Sequence, residues 1–130
     1  MILLDTHVTL WLASQPEKLS KGAVFALETA RDKGDCVAIS SVTLFEIAQL
    51  ALKQRIYLTA SAELVLQQIE NQFTVKSITA RICAEILRLP ETYPKDPLDR
   101  IIGATAIVEE MTLITADIAI HASKAVPTLL

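Results

Sequence analysis

A chain of 130 residues, 52% hydrophobic and 21% charged, can bury a core and is too apolar to be disordered, so one domain spanning residues 1–130 is expected. Its formal net charge of −3 speaks against a general nucleic-acid-binding face, although acids gathered around bound cations would leave Lys53, Arg55, Lys95 and Arg100 to line a local groove. No apolar run approaches the roughly 18 residues of a membrane span, no secretory signal precedes the first apolar run, and Cys36 and Cys83 lack metal-site spacing; a cytoplasmic protein with reduced, core-packed cysteines fits these features.

Ile2 to Leu4 reads as a buried strand that stops at Asp5. Thr6 to Ala13 comes next as a short helix, which Asp5 or Thr6 can cap. Ser20 caps a second helix running to about Lys33, where Gly34-Asp35 stops it. Cys36 to Ile39 is the second strand, and Ser40 or Ser41 caps a helix extending to about Gln54. After Tyr57-Leu58, Thr59 opens a helix to about Gln72, with Ala62, Val65, Leu66 and Ile69 on one face. Phe73 to Ile78 alternates weakly and reads as an edge strand. Thr79 starts a further helix that ends before Pro90, and three prolines make Pro90 to Pro97 a loop. Asp99 to Glu110 is a strongly apolar helix, Thr112 to Thr115 a strand, Asp117 to Ser123 a short helix, and Val126 to Leu129 a last strand. Trp11, Phe25 and Phe45 are expected in the core. Alternating strands and helices imply an α/β fold: right-handed crossovers and a mainly parallel sheet of about five strands, helices on both faces.

The chemistry lies where apolar runs meet acids. In an open α/β sheet the ligand crevice lies at the carboxyl ends of the strands. Asp5 ends the first run and Asp117 the run Leu113-Ile114-Thr115-Ala116, while Asp96-Pro97-Leu98-Asp99-Arg100 opens the apolar helix between them. Glu46 stands about a turn into the helix after the second strand, in its polar stripe of Thr43, Glu46, Gln49 and Lys53. Each acid alone is explained as a helix cap or a solvated position: Asp96 before Pro97 is a natural N-cap, Asp99 suits the helix dipole, and Asp5 and Asp117 can both cap. Caps all falling at one sheet edge are better explained by a shared site. Carboxylates delivered to one crevice repel unless a proton or cation intervenes, so a metal-dependent enzyme is the first hypothesis. Thr115 can orient a ligand water, hold the Asp117 carboxylate, or make a local turn bond. His7 and His121 have no second His or Cys nearby in sequence, which disfavours zinc. A glycine-rich phosphate loop and a serine nucleophile elbow are both absent.

These stretches together resemble the PIN-domain family, specifically the VapC-type toxins of toxin–antitoxin pairs. The likeness rests on Leu3-Leu4-Asp5-Thr6-His7, on Ser41 through Glu46-Ile47-Ala48, on Asp96 to Arg100 with Ile102-Gly103-Ala104-Thr105-Ala106, and on Leu113 to Asp117. The resemblance implies a three-layer α/β/α PIN-like domain and a Mg²⁺- or Mn²⁺-dependent endoribonuclease. Asp5, Glu46, Asp99 and Asp117 would be its catalytic, metal-holding quartet, with Thr6, Asp96, Arg100 and Thr115 in support. It also implies a homodimer and a cognate antitoxin protein. One departure is visible: relatives with the Asp-Pro motif commonly carry a His where this chain has Pro94. Two other classes compete. A receiver-like phosphoacceptor domain would want paired acids after its first strand, yet Asp5 leads into Thr6-His7. A catalytically silent PIN-like binding module would keep the fold and use its carboxylates for a basic partner alone.

Overall fold

The structure, a computed structural model, describes residues 1–56, 58 and 60–129. Strand β1 (Ile2–Leu4) is the middle strand of a five-stranded parallel sheet. Ile2, Leu3 and Leu4 register with Val37, Ala38 and Ile39 of β2 (Val37–Ser40) on one side, and with Thr112, Leu113 and Ile114 of β4 (Thr112–Ile114) on the other. β3 (Thr74–Lys76) lies outside β2 and β5 (Thr128–Leu129) outside β4, giving the order β3-β2-β1-β4-β5. The expected edge strand at Phe73 to Ile78 and the expected last strand at Val126 to Leu129 are therefore both present, shortened to Thr74–Lys76 and Thr128–Leu129.

Strand alternation divides the core into two layers. Ile2, Leu4, Ile39 and Ile114 face Val8 and Leu10 of α1 (Thr6–Ser14) and Ala23, Leu27 and Ala30 of α2 (Lys21–Lys33). Leu3, Ala38 and Leu113 point the other way, toward Ile102 and Ala106 of α6 (Pro97–Val108) and Ile120 of α7 (Ile118–Ser123). Three further helices, α3 (Ser41–Leu52), α4 (Ala62–Gln72) and α5 (Ala80–Ile86), complete an α/β/α sandwich. After β1 the chain builds outward through β2 and β3, then returns to the far side of β1 for β4 and β5. The order reverses between β1 and β4, so their carboxyl ends flank the crevice where ligands bind in such sheets.

Most boundaries agree with expectation, and the differences have local causes. Helix α6 starts at Pro97 rather than Asp99, because Asp96 caps it and proline is suited to the first helical position. Its last turn closes at Val108, before Glu110 takes a left-handed φ of 55°. Helix α3 stops at Leu52, two residues before Gln54, which is also left-handed with a φ of 55°. Helix α4 begins at Ala62, capped by Ser61; the expected opening residue, Thr59, lies outside the described residues. Pro16–Lys18 forms a 3₁₀ turn, an addition to the expected elements. Phe25 and Phe45, expected in the core, are 71% and 53% exposed: Phe25 lies on the solvent face of α2 opposite its buried Ala23, Leu27 and Ala30, and Phe45 on an uncovered flank of α3. Trp11 is half-buried against the core as expected. Cys83 is exposed rather than packed, Cys36 is half-buried, and both are free thiols. Among the described residues no helix is long and apolar enough to cross a membrane.

Candidate active site

The crevice between β1 and β4 receives its aspartates from helix starts and Glu46 from the second turn of α3. Asp5, the residue after β1, caps α1: its Oδ1 accepts from the Thr6 N–H at 2.8 Å. The other oxygen, Oδ2, accepts from the Thr115 hydroxyl at 2.6 Å. Thr115 lies just past β4, so this bond ties the ends of neighbouring strands and leaves Asp5 nearly buried. The same Thr115 oxygen accepts from the Asp117 N–H at 3.1 Å. Of the three roles open to Thr115 in the sequence, the structure shows a turn bond plus a grip on the Asp5 carboxylate rather than on that of Asp117. Behind it, His121 bonds the Thr115 carbonyl through Nε2 (2.7 Å) and the Thr128 hydroxyl through Nδ1 (2.8 Å), which fixes this strand end.

The other acids are placed by the same logic. Asp117 Oδ1 accepts from Ala119 and Ile120 N–H groups at 2.9 and 3.4 Å, capping α7. Asp96 Oδ1 accepts from Leu98 and Asp99 at 2.8 and 3.4 Å, capping α6. Glu46, half-buried on α3, accepts from the Thr6 hydroxyl at 2.6 Å, and Thr43 lies 3.2 Å from the same hydroxyl. The single Thr6 proton goes to Glu46, so Thr43 is the donor in that contact. The cap reading of Asp5, Asp96 and Asp117 is thus correct and does not compete with a site role, and Asp99 sits in the first turn of α6 as the helix dipole favours. In Asp96 and Asp117 capping occupies one carboxylate oxygen and leaves the other for the crevice, whereas the second oxygen of Asp5 is already held by Thr115.

Asp5, Glu46, Asp96, Asp99 and Asp117 line one cavity of about 370 Å³, with His7 and Trp11 on its rim. All four residues of the expected quartet are brought together, joined by Asp96. Arg100 is not at the cavity; its Nη2 turns to the Tyr93 carbonyl at 3.4 Å. Among the described residues the ion pairs are Lys76–Glu109 and Arg88–Glu85, and neither involves a cavity residue. Asp99 bears the consequence. Burial, then the charges of Asp5, Asp96, Glu46 and Asp117, push its carboxyl up to about 7.

Such a cavity suits a divalent cation on chemical grounds: its donors are hard oxygens, and a positive charge would offset the burial and the repulsion that together hold a proton on Asp99. Among the described residues no three His, Cys, Asp or Glu side chains are grouped so that they could hold a metal ion as they stand.

One positioning residue gives little signal in the sequence. Tyr93, in the proline-bounded loop, is 1% exposed, and its hydroxyl donates to the Asp99 carbonyl at 2.8 Å. Burial and the nearby Asp99, Asp5 and Asp117 raise the phenol well above its ordinary range, so it remains a donor. The ring fills the space beside Gly103, where an added Cβ would stand 2.2 Å from Tyr93 Oη. Tyr93 and Gly103 together clamp the first turn of α6, the turn that carries Asp99. The motif glycine could have hinted at close packing; the partner, ten residues upstream in an irregular loop, could not be read.

A family profile described as PIN domain matches residues 2–124. Over 116 residues the chain is 38% identical to Ribonuclease VapC22 of Mycobacterium tuberculosis, covering 89% of this chain and 86% of the relative. Among solved structures, a toxin–antitoxin complex from Klebsiella pneumoniae contains a chain 26% identical, with a TM-score of 0.68 and coverage of 100% and 97%. A DNA-bound VapBC from Salmonella typhimurium contains one of the same fold at 13% identity, with a TM-score of 0.73 and coverage of 98% and 96%.

The folded chain holds the Asp99 proton more tightly than the unfolded chain, so metal-free protein should lose stability as pH rises from about 4 through 7. Thermal melts of chelated protein should show this loss, and Asp99→Asn should flatten it; an unchanged slope in the variant would refute the assignment. Tyr93→Phe, which removes one buried donor, should cost about 1 kcal/mol and also weaken Mn²⁺ affinity by calorimetry. Wild-type affinity in that variant would reduce Tyr93 to a purely structural role.

Proposed function

The chain belongs to the PIN-domain family, and on that footing we propose that it is a metal-dependent endoribonuclease, a VapC-like toxin that cuts unpaired RNA and is restrained by a cognate antitoxin. The observation that carries this reading is the five-carboxylate cavity, with no Lys or Arg among its described lining residues, in which burial and the neighbouring acids push Asp99 up to about 7. The name of the M. tuberculosis relative supports ribonuclease activity, and the toxin–antitoxin complexes among the structural neighbours support an antitoxin partner. Asp5, Glu46, Asp99 and Asp117 would hold Mg²⁺ or Mn²⁺, with Asp96 at the rim. Bound there, the cation would supply Lewis acidity, making water nucleophilic at neutral pH and offsetting phosphoryl charge.

The remaining work falls to the chain's own groups. Thr115 and the Thr6 N–H hold the Asp5 oxygens in place, and the Thr6 hydroxyl does the same for Glu46. Tyr93 steadies the turn that carries Asp99. A concave cavity of this size takes a phosphate from a flexible strand more readily than from a stacked duplex, which favours unpaired RNA. An Arg or Lys from the antitoxin could replace the cation's charge and block the site. The exposed apolar groups on α3 and α4 (Phe45 at 53%, Leu52 at 78%, Leu64 at 47%) support a homodimer interface as part of this reading. An RNA substrate and two free thiols suit the cytoplasm.

Asp5→Asn should lower cleavage of defined RNAs by at least ~100-fold while leaving the far-ultraviolet circular dichroism unchanged. Attack by water should leave 5′-phosphate and 3′-hydroxyl ends. Full activity in the variant, or 2′,3′-cyclic phosphate products from the wild type, would contradict the proposal.

A further inference from the structure

Beside the acidic cavity lies a larger one of about 750 Å³, and His7, Trp11 and Glu46 form the wall between them. The two differ in charge. The larger cavity is lined by Lys18 and Arg55, and neither belongs to the ion pairs found among the described residues. Lys18 instead places its ammonium 5.9 Å from the centroid of the Trp11 ring. In a chain of net charge −3, two cations outside those ion pairs stand next to five carboxylates. That separation matches one kind of ligand: a polyanion that crosses the acidic cavity with the help of a cation and meets protein cations directly next door.

We propose that this adjoining cavity is the subsite for the nucleotide next to the scissile phosphate of single-stranded RNA, its base against Trp11 and His7 and its phosphate near Lys18 and Arg55. The proposal rests on the ribonuclease reading and names where that substrate is gripped. An aromatic wall with flanking cations is how proteins hold unpaired nucleotides without choosing among bases, because every base has a face to stack. A duplex would keep its bases paired and unable to enter. A basic arm of a protein inhibitor reaching for the acids would meet Lys18 and Arg55 as like charges, which favours RNA as the occupant of this cavity.

Trp11 is the only tryptophan in the chain, so it reports its own subsite. The full chain, loaded with Mg²⁺, is titrated with a short phosphorothioate single-stranded RNA that resists cleavage. Tryptophan fluorescence and the anisotropy of a label on the RNA are followed together over a range of salt. The RNA should quench Trp11. Lys18→Gln and Arg55→Gln should each reduce the log–log salt slope of binding by about 0.7. Lys33→Gln, at the end of α2 remote from this cavity, should retain the wild-type slope. Absence of quenching, or wild-type slopes in both cavity variants, would overturn the subsite. Quenching by a basic peptide but not by RNA would overturn it in favour of a protein docking surface. Failure of the ribonuclease reading shows separately, as wild-type protein with Mn²⁺ leaving every unmodified RNA uncut.

Discussion

Repulsion between carboxylates that the fold forces into one crevice is the constraint on which this site depends. Five acids line a single cavity with no Lys or Arg among its described walls, and the one acid that takes the strain is Asp99, half-buried at the mouth of α6. A fold under no functional demand would relieve such crowding with one substitution to a neutral or basic residue. This chain instead surrounds the acids with groups that hold them in place. The frustration is local, and a bound cation is the simplest thing that removes it.

The holding groups are neutral. Thr6, Thr43 and Thr115 are all buried, and their hydroxyls with one backbone N–H fix Asp5 and Glu46 without contributing charge. Helix capping supplies the rest: Asp5, Asp96 and Asp117 each satisfy orphan N–H groups at a helix start, and Asp96 and Asp117 do so through one oxygen alone. Structural and chemical roles therefore reside in the same side chains. The positive ends of three helices also point at the cavity, partly offsetting its charge.

Much of this was legible in the sequence because buried parallel strands are short apolar runs, and the residues just past the end of such a run lie at the crevice. Ile2-Leu3-Leu4 before Asp5, and Leu113-Ile114 before Thr115 and Asp117, needed no further information. Asp96-Pro97 marks the start of α6 through the fixed φ of proline, although the apolar pattern alone would begin that helix two residues late. Lateral relations were less visible. That Thr115 would reach across to Asp5, a neighbour by strand pairing and 110 positions away in sequence, depends on sheet order. That Tyr93 would fill the space at Gly103 depends on the path of an irregular loop. Phe45 misled because a helix that is apolar nearly all round does not say which flank its neighbours will cover, and Phe25 because it stands among Lys21, Gly22 and Glu28 on the exposed face of α2.

The charge of Asp99 itself offers the most direct test. Its side-chain ¹³C chemical shift, monitored by NMR from pH 4 to 9 with and without saturating Mg²⁺, reports when that carboxyl loses its proton. The expected result is a midpoint near 7 in the metal-free protein and a drop below the ordinary carboxylate range once Mg²⁺ is bound. An ordinary midpoint that Mg²⁺ does not move would mean the acids are neither crowded nor gathered around a cation.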